Sequence, residues 1–120
     1  KMLDRVGMAQ QADRLIAQYS HGMKQRIAVA CGLIHQPKIL IIDEPMVGLD
    51  PHGYRMLDQR LREFRDSGGS VLLSTHTLHD AQNMADEWIL IRKGQLISQL
   101  PEGKNLEQFY FENIQSDSVE

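Results

Sequence analysis

The sequence predicts an α/β fold, because short apolar strands alternate along the chain with amphipathic helices. Residues 39–42 form a run of isoleucine and leucine, and residues 70–74 contain a second short apolar run. A helical apolar pattern lies between the two runs, over about residues 51–66. Strand, helix and strand in this order imply a right-handed crossover, so we expect a parallel sheet flanked by helices.

Composition narrows the class of protein. The 120 residues have room for one domain with a modest core. The net charge of −3 provides no general attraction to nucleic acid, so no nucleic-acid partner is predicted. The single cysteine, Cys31, excludes an internal disulfide and suits a reducing cytosol. No apolar run reaches the roughly 20 residues that are needed to span a bilayer.

The first third of the chain is predicted to hold two helical stretches. Residues 1–6 look like the end of a helix, and a polar connector then continues to Ser20. A second helix is expected over about residues 22–35, before Pro37. Four residues at helical spacing form its expected apolar face: Ile27, Ala30, Cys31 and Ile34.

The strand at 39–42 is predicted to be central and buried on both faces, because its residues are apolar without alternation. The helix over 51–66 carries an apolar stripe and ends at Gly68-Gly69. The stripe consists of Tyr54, Leu57, Leu61 and Phe64. Further elements are expected after the strand at 70–74: a helix over 78–85, a β-hairpin of 88–91 and 95–98 around Lys93-Gly94, and a short helix over 106–111.

Two adjacent acids, Asp43 and Glu44, end the strand at 39–42, and Pro45 blocks further strand pairing. In an open α/β sheet, ligands bind beyond the carboxyl ends of the strands. One acid there suits a Mg²⁺ ion held through water, and the other suits a water that attacks a phosphate. A buried strand that simply ends in solvated acids is the alternative, and the pair alone does not decide between them.

Four short motifs follow one another along the chain: Y-S-H-G-M-K-Q-R at 19–26, K-I-L-I-I-D-E-P at 38–45, V-G-L-D at 47–50 and S-T-H at 74–76. They resemble, in this order, the signature motif, Walker B, D-loop and H-switch of the ATP-binding domain of ABC transporters. The resemblance extends from about residue 3 to residue 111, and it is closest to bacterial ABC-2 or multidrug exporters. It implies the C-terminal half of a P-loop NTPase-type parallel sheet, with a C-terminal β-hairpin.

The resemblance implies a role for each motif residue. Asp43 holds Mg²⁺ through water, Glu44 is the general base or positions the water, and His76 contacts the γ-phosphate of ATP and the attacking water. The signature motif binds the ATP of a second ATP-binding domain, and the D-loop shapes the contact between the two domains. The residues implied to face the nucleotide in this way are Ser20, His21, Gly22, Met23 and Asp50.

Simpler interpretations remain open for two of these residues. Ser20 is also suited to cap a helix, and Asp50 is also a common turn residue before proline. A metal site formed by His76 with His79 is a further possibility. The motif itself departs from the common L-S-G-G-Q, because His21 stands for its first glycine and Met23 for its glutamine.

A phosphate-binding P-loop, G-x-x-x-x-G-K-[ST], does not occur among the 120 residues. The resemblance places that loop upstream of the signature motif, so we expect it to precede Lys1 in a longer protein. The chain alone is then expected to hydrolyse hardly any ATP. We also expect residues 39–42 to expose an apolar sheet edge, which favours self-association.

The predicted function is the ATP-binding subunit of an ABC transporter, peripheral on the cytoplasmic face of the membrane. Its expected partners are a second ATP-binding domain and a transmembrane permease. The domain is expected to span residues 1–112, followed by a polar tail at 113–120. Within the domain, residues 1–36 are expected to form a helical subdomain with the signature helix, and residues 37–100 the core. One alternative is the head of a non-transport ABC ATPase in DNA repair or chromosome organisation. Such a head needs a coiled coil, and residues 1–19 lack its heptad repeats. The other alternative is a pseudo-ATPase that binds nucleotide without turnover.

Overall fold

A computed structural model describes residues 1–99 and 105–114 of the chain. The elements alternate between helices and short strands, which confirms the predicted α/β class. The helices are α1 (Met2–Arg5), α2 (His21–Leu33), α3 (Pro51–Asp66), α4 (Leu78–Met84) and α5 (Leu106–Ile114), with two 3₁₀ turns at Ala9–Gln11 and Ile16–Gln18. The strands are β1 (Ile39–Asp43), β2 (Ser70–Ser74), β3 (Ile89–Arg92) and β4 (Gln95–Gln99).

The chain forms two compact units, Lys1–Thr75 and His76–Glu120. In the first unit, β1 and β2 pair in parallel, and α3 connects them. The pairing aligns the last residues of the two strands, Asp43 and Ser74. This register matters for the site, because it places the polar groups at the two strand ends side by side.

Helix α3 has the bounds and the buried face that the sequence pattern predicts. Asp50 caps its first turn by accepting a hydrogen bond from the Gly53 amide at 2.7 Å, and Pro51 occupies the first helical position. Leu57 is completely buried, and Leu61 is nearly so. Helix α3 packs against β2 and the neighbouring helix α2.

The prediction that β1 is buried on both faces is wrong for this chain. Leu40 is buried and packs close to Gly32 of α2, whereas Ile39 and Ile41 are 64% and 74% exposed. Side chains alternate between the faces of a strand, and in the described part of the first unit the helices cover one face only. The opposite face therefore presents isoleucine to the surface.

The buried face of α2 also differs from the predicted one. Val29 and Ala30 are buried, but Cys31 is exposed and Ile34 lies beyond the end of the helix, largely exposed. The connector before α2 is less polar than expected, because Met8 and Tyr19 enter the core. These two residues form an apolar cluster with Val6 and Ala30, against which Met23 and Ile27 pack.

The second unit consists of α4, the antiparallel hairpin of β3 and β4, and α5. Lys93 and Gly94 both have positive φ angles, as a tight two-residue hairpin turn requires, which confirms the predicted hairpin. Phe109 is the buried residue of α5, and Arg92 donates a hydrogen bond to the Asn113 carbonyl at 2.7 Å. The first two residues of the predicted polar tail, 113 and 114, belong to α5. The rest of the tail lies outside the described residues.

Every helix among the described residues is too short or too polar to cross a bilayer.

Candidate functional site

The backbone at Glu44 has an unusual conformation for a residue with a side chain. Its φ angle is +46°, in the left-handed region that disfavours residues other than glycine. Strain of this kind costs about 1–3 kcal/mol and persists where neighbouring groups hold the backbone in place. Glu44 directly follows the last residue of β1, so this backbone conformation determines how its side chain leaves the strand end.

Ser74 connects the two adjacent acids at the strand ends. The amide of Glu44 donates to the Ser74 carbonyl at 3.1 Å and to its hydroxyl oxygen at 3.2 Å. The same hydroxyl donates to Oδ1 of Asp43. One serine on β2 therefore orients the Asp43 carboxylate and fixes the Glu44 amide.

Gln25 of α2 holds the carbonyl side of the same residue, Glu44. Its side-chain Nε2 donates to the Glu44 carbonyl at 3.0 Å, and the contact is partly buried. The Val47 amide also donates to that carbonyl, at 3.4 Å. The backbone of Glu44 is thus tied to β2, to α2 and to the loop that follows.

Helix α2 begins at the predicted signature motif. The hydroxyl of Ser20 accepts from the Met23 amide at 3.2 Å, so Ser20 caps the helix as the simpler interpretation expects. A serine that accepts in a cap keeps its own O–H as a donor. The amides at the start of a helix and its dipole favour an anion, so the capping role and a phosphate contact are compatible.

The start of α2 packs against the predicted D-loop turn. The ring of His21 lies over Gly48, where a Cβ atom would collide with it. A Cβ atom on Gly22 would lie 3.1 Å from the Gly48 carbonyl oxygen and 3.4 Å from a methyl group of Leu49. His21 and Gly22 therefore form a close contact with the turn of their own chain.

Asp50 joins the same arrangement through Arg26 of α2. Besides capping α3, its Oδ1 lies 3.7 Å from an Arg26 guanidinium nitrogen. Asp50 is 68% exposed, so the ion pair adds little stability by itself. Its main structural role is to begin α3 at the correct residue.

Of the predicted residues, Met23, His76 and His79 remain. The Met23 side chain packs against the apolar cluster of the first unit. His76 is the first residue of the second unit and follows Ser74 after one residue, and His79 lies in α4. In residues 1–99 and 105–114, no group of three or more His, Cys, Asp or Glu side chains is arranged to hold a metal ion.

The first unit thus brings together two adjacent acids, a strand-end hydroxyl and the start of a helix beside a glycine turn. The sequence motifs include Gln25, Arg26 and Ser74, but sequence reasoning assigned no role to these three residues. Ser74 had a readable signal, because the last residues of neighbouring parallel strands lie side by side. Gln25 and Arg26 had none, because their contacts depend on how α2 packs.

The chain resembles known proteins over most of its length. Residues 1–47 match the pattern of a family described as ABC transporter. Over 97 residues, the chain is 43% identical to the uncharacterized ABC transporter ATP-binding protein YxlF of Bacillus subtilis. This alignment covers 80% of this chain and 32% of that protein. Over 115 residues, it is 36% identical to the lantibiotic transport ATP-binding protein SrtF of Streptococcus pyogenes. This alignment covers 94% of this chain and 50% of that protein.

A solved structure described as the ATP-binding subunit of an ABC transporter has a similar fold. It superposes with a TM-score of 0.83 at 29% sequence identity, over 92% of this chain and 50% of that chain. The chain therefore spans half or less of the length of these relatives.

Proposed function

The chain belongs to the ATP-binding domains of ABC transporters, of which it covers a part, and we propose that the whole protein hydrolyses ATP to drive transport across a membrane. Relatives of 43% and 36% identity are themselves described as transporter ATP-binding proteins, which supports transport over DNA repair or chromosome organisation. The proposed partners are a second ATP-binding domain and a transmembrane permease, with the protein on the cytoplasmic face.

In this proposal, Asp43 would hold Mg²⁺ through water near the phosphates of ATP. A carboxylate oxygen is a hard ligand of the kind that Mg²⁺ prefers, so the residue fits the ion. Bound Mg²⁺ would neutralise the negative charge of the phosphates. The hydrogen bond from the Ser74 hydroxyl to Oδ1 restrains the Asp43 carboxylate at the end of β1.

Glu44 acts as the general base, or positions the attacking water, in the proposed reaction. A carboxylate can accept a proton from water only if it is held within hydrogen-bond reach of that water. The backbone of Glu44 is hydrogen-bonded to Ser74 and to the side chain of Gln25. These bonds support the role, because they fix the point at which the Glu44 side chain begins. This fixed and strained position of Glu44 is the observation that carries the proposal.

The start of α2 serves the opposite ATP site. The O–H of Ser20 and the amides of His21 and Gly22 would bind the γ-phosphate of ATP that the second domain holds. Asp50 shapes the contact between the domains, and His76 contacts the γ-phosphate. The roles of His76 and Met23 rest on the order of the motifs alone.

A P-loop is needed to hold the nucleotide, and none occurs among the 120 residues. We propose that the rest of the whole protein supplies it. Transport and hydrolysis are therefore proposed for the whole protein, and its experiments require the full-length chain.

The proposal is tested by steady-state ATP hydrolysis in the full-length protein with Glu44→Gln. General bases contribute about 10²–10⁴-fold, so we expect kcat to fall at least about 100-fold. The matched control is Glu63→Gln on α3, where the carboxylate pairs with Arg60 at the surface. Undiminished turnover with Glu44→Gln would remove Glu44 from its role. A parent protein that binds ATP without releasing phosphate would instead support the pseudo-ATPase alternative.

A further inference from the structure

Gln25 lies within the signature motif, but the roles implied for that motif and for Walker B do not explain its contact. It lies in the second turn of α2, the helix that Ser20 caps, and its side-chain amide donates to the backbone carbonyl of Glu44 at 3.0 Å. The contact crosses from a helix to a strand end and is partly buried.

The conformation of Glu44 gives this bond a specific consequence. At a φ angle of +46°, a residue with a Cβ atom is strained, and the unstrained alternative is a negative φ angle. A change to negative φ would turn the peptide and redirect the side chain at once. Ser74 holds the amide side of the residue, and Gln25 holds the carbonyl side.

We propose that Gln25 is a positioning residue: its side-chain amide keeps the Glu44 backbone left-handed and so directs the Glu44 carboxylate toward the attacking water. The inference rests on the proposed function, in which Glu44 serves hydrolysis. Gln25 touches no reacting atom and acts through Glu44 alone. Because Gln25 and Ser20 lie on one helix, the same helix that is proposed to meet the opposite ATP also holds the base of its own site.

The test measures kcat and KM for ATP in the full-length protein with Gln25→Met and Gln25→Glu. Met is close to Gln in shape but has no donor, and Glu places an acceptor against the acceptor carbonyl. A misplaced catalytic group commonly costs up to about 100-fold. We expect kcat to fall about tenfold or more with Gln25→Met and further with Gln25→Glu, whereas KM changes less than about twofold because nucleotide binding is untouched.

The control is Gln59→Met on α3, because the amide of Gln59 also donates to a neighbour, Glu63, but at the exposed surface. It should leave kcat unchanged. The double variant Gln25→Met with Glu44→Gln should turn over at the rate of Glu44→Gln alone, since a residue that acts through Glu44 has no effect once Glu44 is inactive. If Gln25→Met does not fold, Gln25→Asn gives the same test, because its amide is one methylene too short.

Three outcomes separate the two proposals. A normal kcat for a folded Gln25→Met protein, with Glu44→Gln inactive, overturns the role of Gln25 and leaves the proposed function intact. A loss that multiplies with that of Glu44→Gln also overturns it, because Gln25 then acts by another route. Undiminished turnover with Glu44→Gln overturns the proposed function itself.

Discussion

Two residues of the connection between β1 and α3 have left-handed backbones, and the chain accommodates them differently. Glu44 keeps its side chain at a φ angle of +46° and is held by hydrogen bonds from β2 and α2. Gly48 has a φ angle of +77°, and the space that a side chain would fill holds the ring of His21. The strained residue is thus the proposed base, and the unstrained one packs against the start of α2.

We expect Gly48→Ala to destabilise the protein by about 2 kcal/mol or more, because it adds steric overlap with His21 to an unfavourable φ angle. The measurement is the free energy of unfolding by urea. Gly94→Ala is the matched control, since Gly94 has nearly the same φ angle of +76° and no described atom lies within 4 Å of the added Cβ. We expect it to cost about 1 kcal/mol.

The double variant His21→Ala with Gly48→Ala removes the steric overlap but keeps the unfavourable φ angle. Relative to His21→Ala alone, it should therefore lose only about as much free energy of unfolding as the Gly94→Ala control loses. Equal losses for Gly48→Ala and Gly94→Ala would mean that the His21 ring moves aside freely. The contact between His21 and the turn would then have no energetic weight.

At the level of elements, Asp50 caps α3 and also faces Arg26 of α2. We expect Asp50→Ala to lower the free energy of unfolding by about 1 kcal/mol, because the Gly53 amide loses its partner. Asp50→Asn keeps an oxygen that caps equally well and removes only the charge, so it should cost a few tenths of a kcal/mol at most. Urea denaturation of both variants measures the difference. Equal losses would show that the charge, and not the cap, stabilises α3.

Elements with a complete local signal were predictable from the sequence. Helix α3 has a cap, an N-terminal proline, an apolar stripe and terminal glycines, and its predicted bounds are confirmed. The exposed face of β1 was not predictable, because an isoleucine run looks the same whether one face or two are covered. The exposure of Cys31 was missed for a similar reason, since small residues of α2 fit more than one packing face.

The candidate site was predictable in its motifs but not in its support. The acids at 43–44 and the start of α2 follow from strand and helix patterns in the chain. The bond from Gln25 to the Glu44 carbonyl depends on the distance between a helix and a strand end, which the sequence does not contain. The positive φ angle of Glu44 was hidden as well, because glutamate gives no sign of a left-handed backbone.

At the scale of the whole molecule, the first unit presents an exposed apolar face. Ile39 and Ile41 of β1 lie on that face, and Leu72, which pairs in register with Ile41, is 56% exposed beside them. Contiguous apolar surface of this kind favours association. We propose that other parts of the whole protein cover it.

We expect the 120-residue chain on its own to self-associate as its concentration rises, and Ile41→Lys to reduce that association by placing a charge on the face. Analytical ultracentrifugation measures both. Gln10→Lys is the control, because it adds the same charge at an exposed position in a 3₁₀ turn. A monomeric 120-residue chain, or equal effects of the two lysines, would mean that this face does not drive association.

Cleavage of ATP in a single turnover tests the role of the strand-end acids most directly, because it separates the chemical step from binding and product release. Full-length protein with Glu44→Gln is mixed with less than one equivalent of ATP and Mg²⁺, and the bound nucleotide is identified after acid quenching. We predict that the nucleotide remains ATP, bound as tightly as in the parent, while the parent converts it to ADP and phosphate. Formation of ADP at the parent rate by the Glu44→Gln protein would contradict the proposed site.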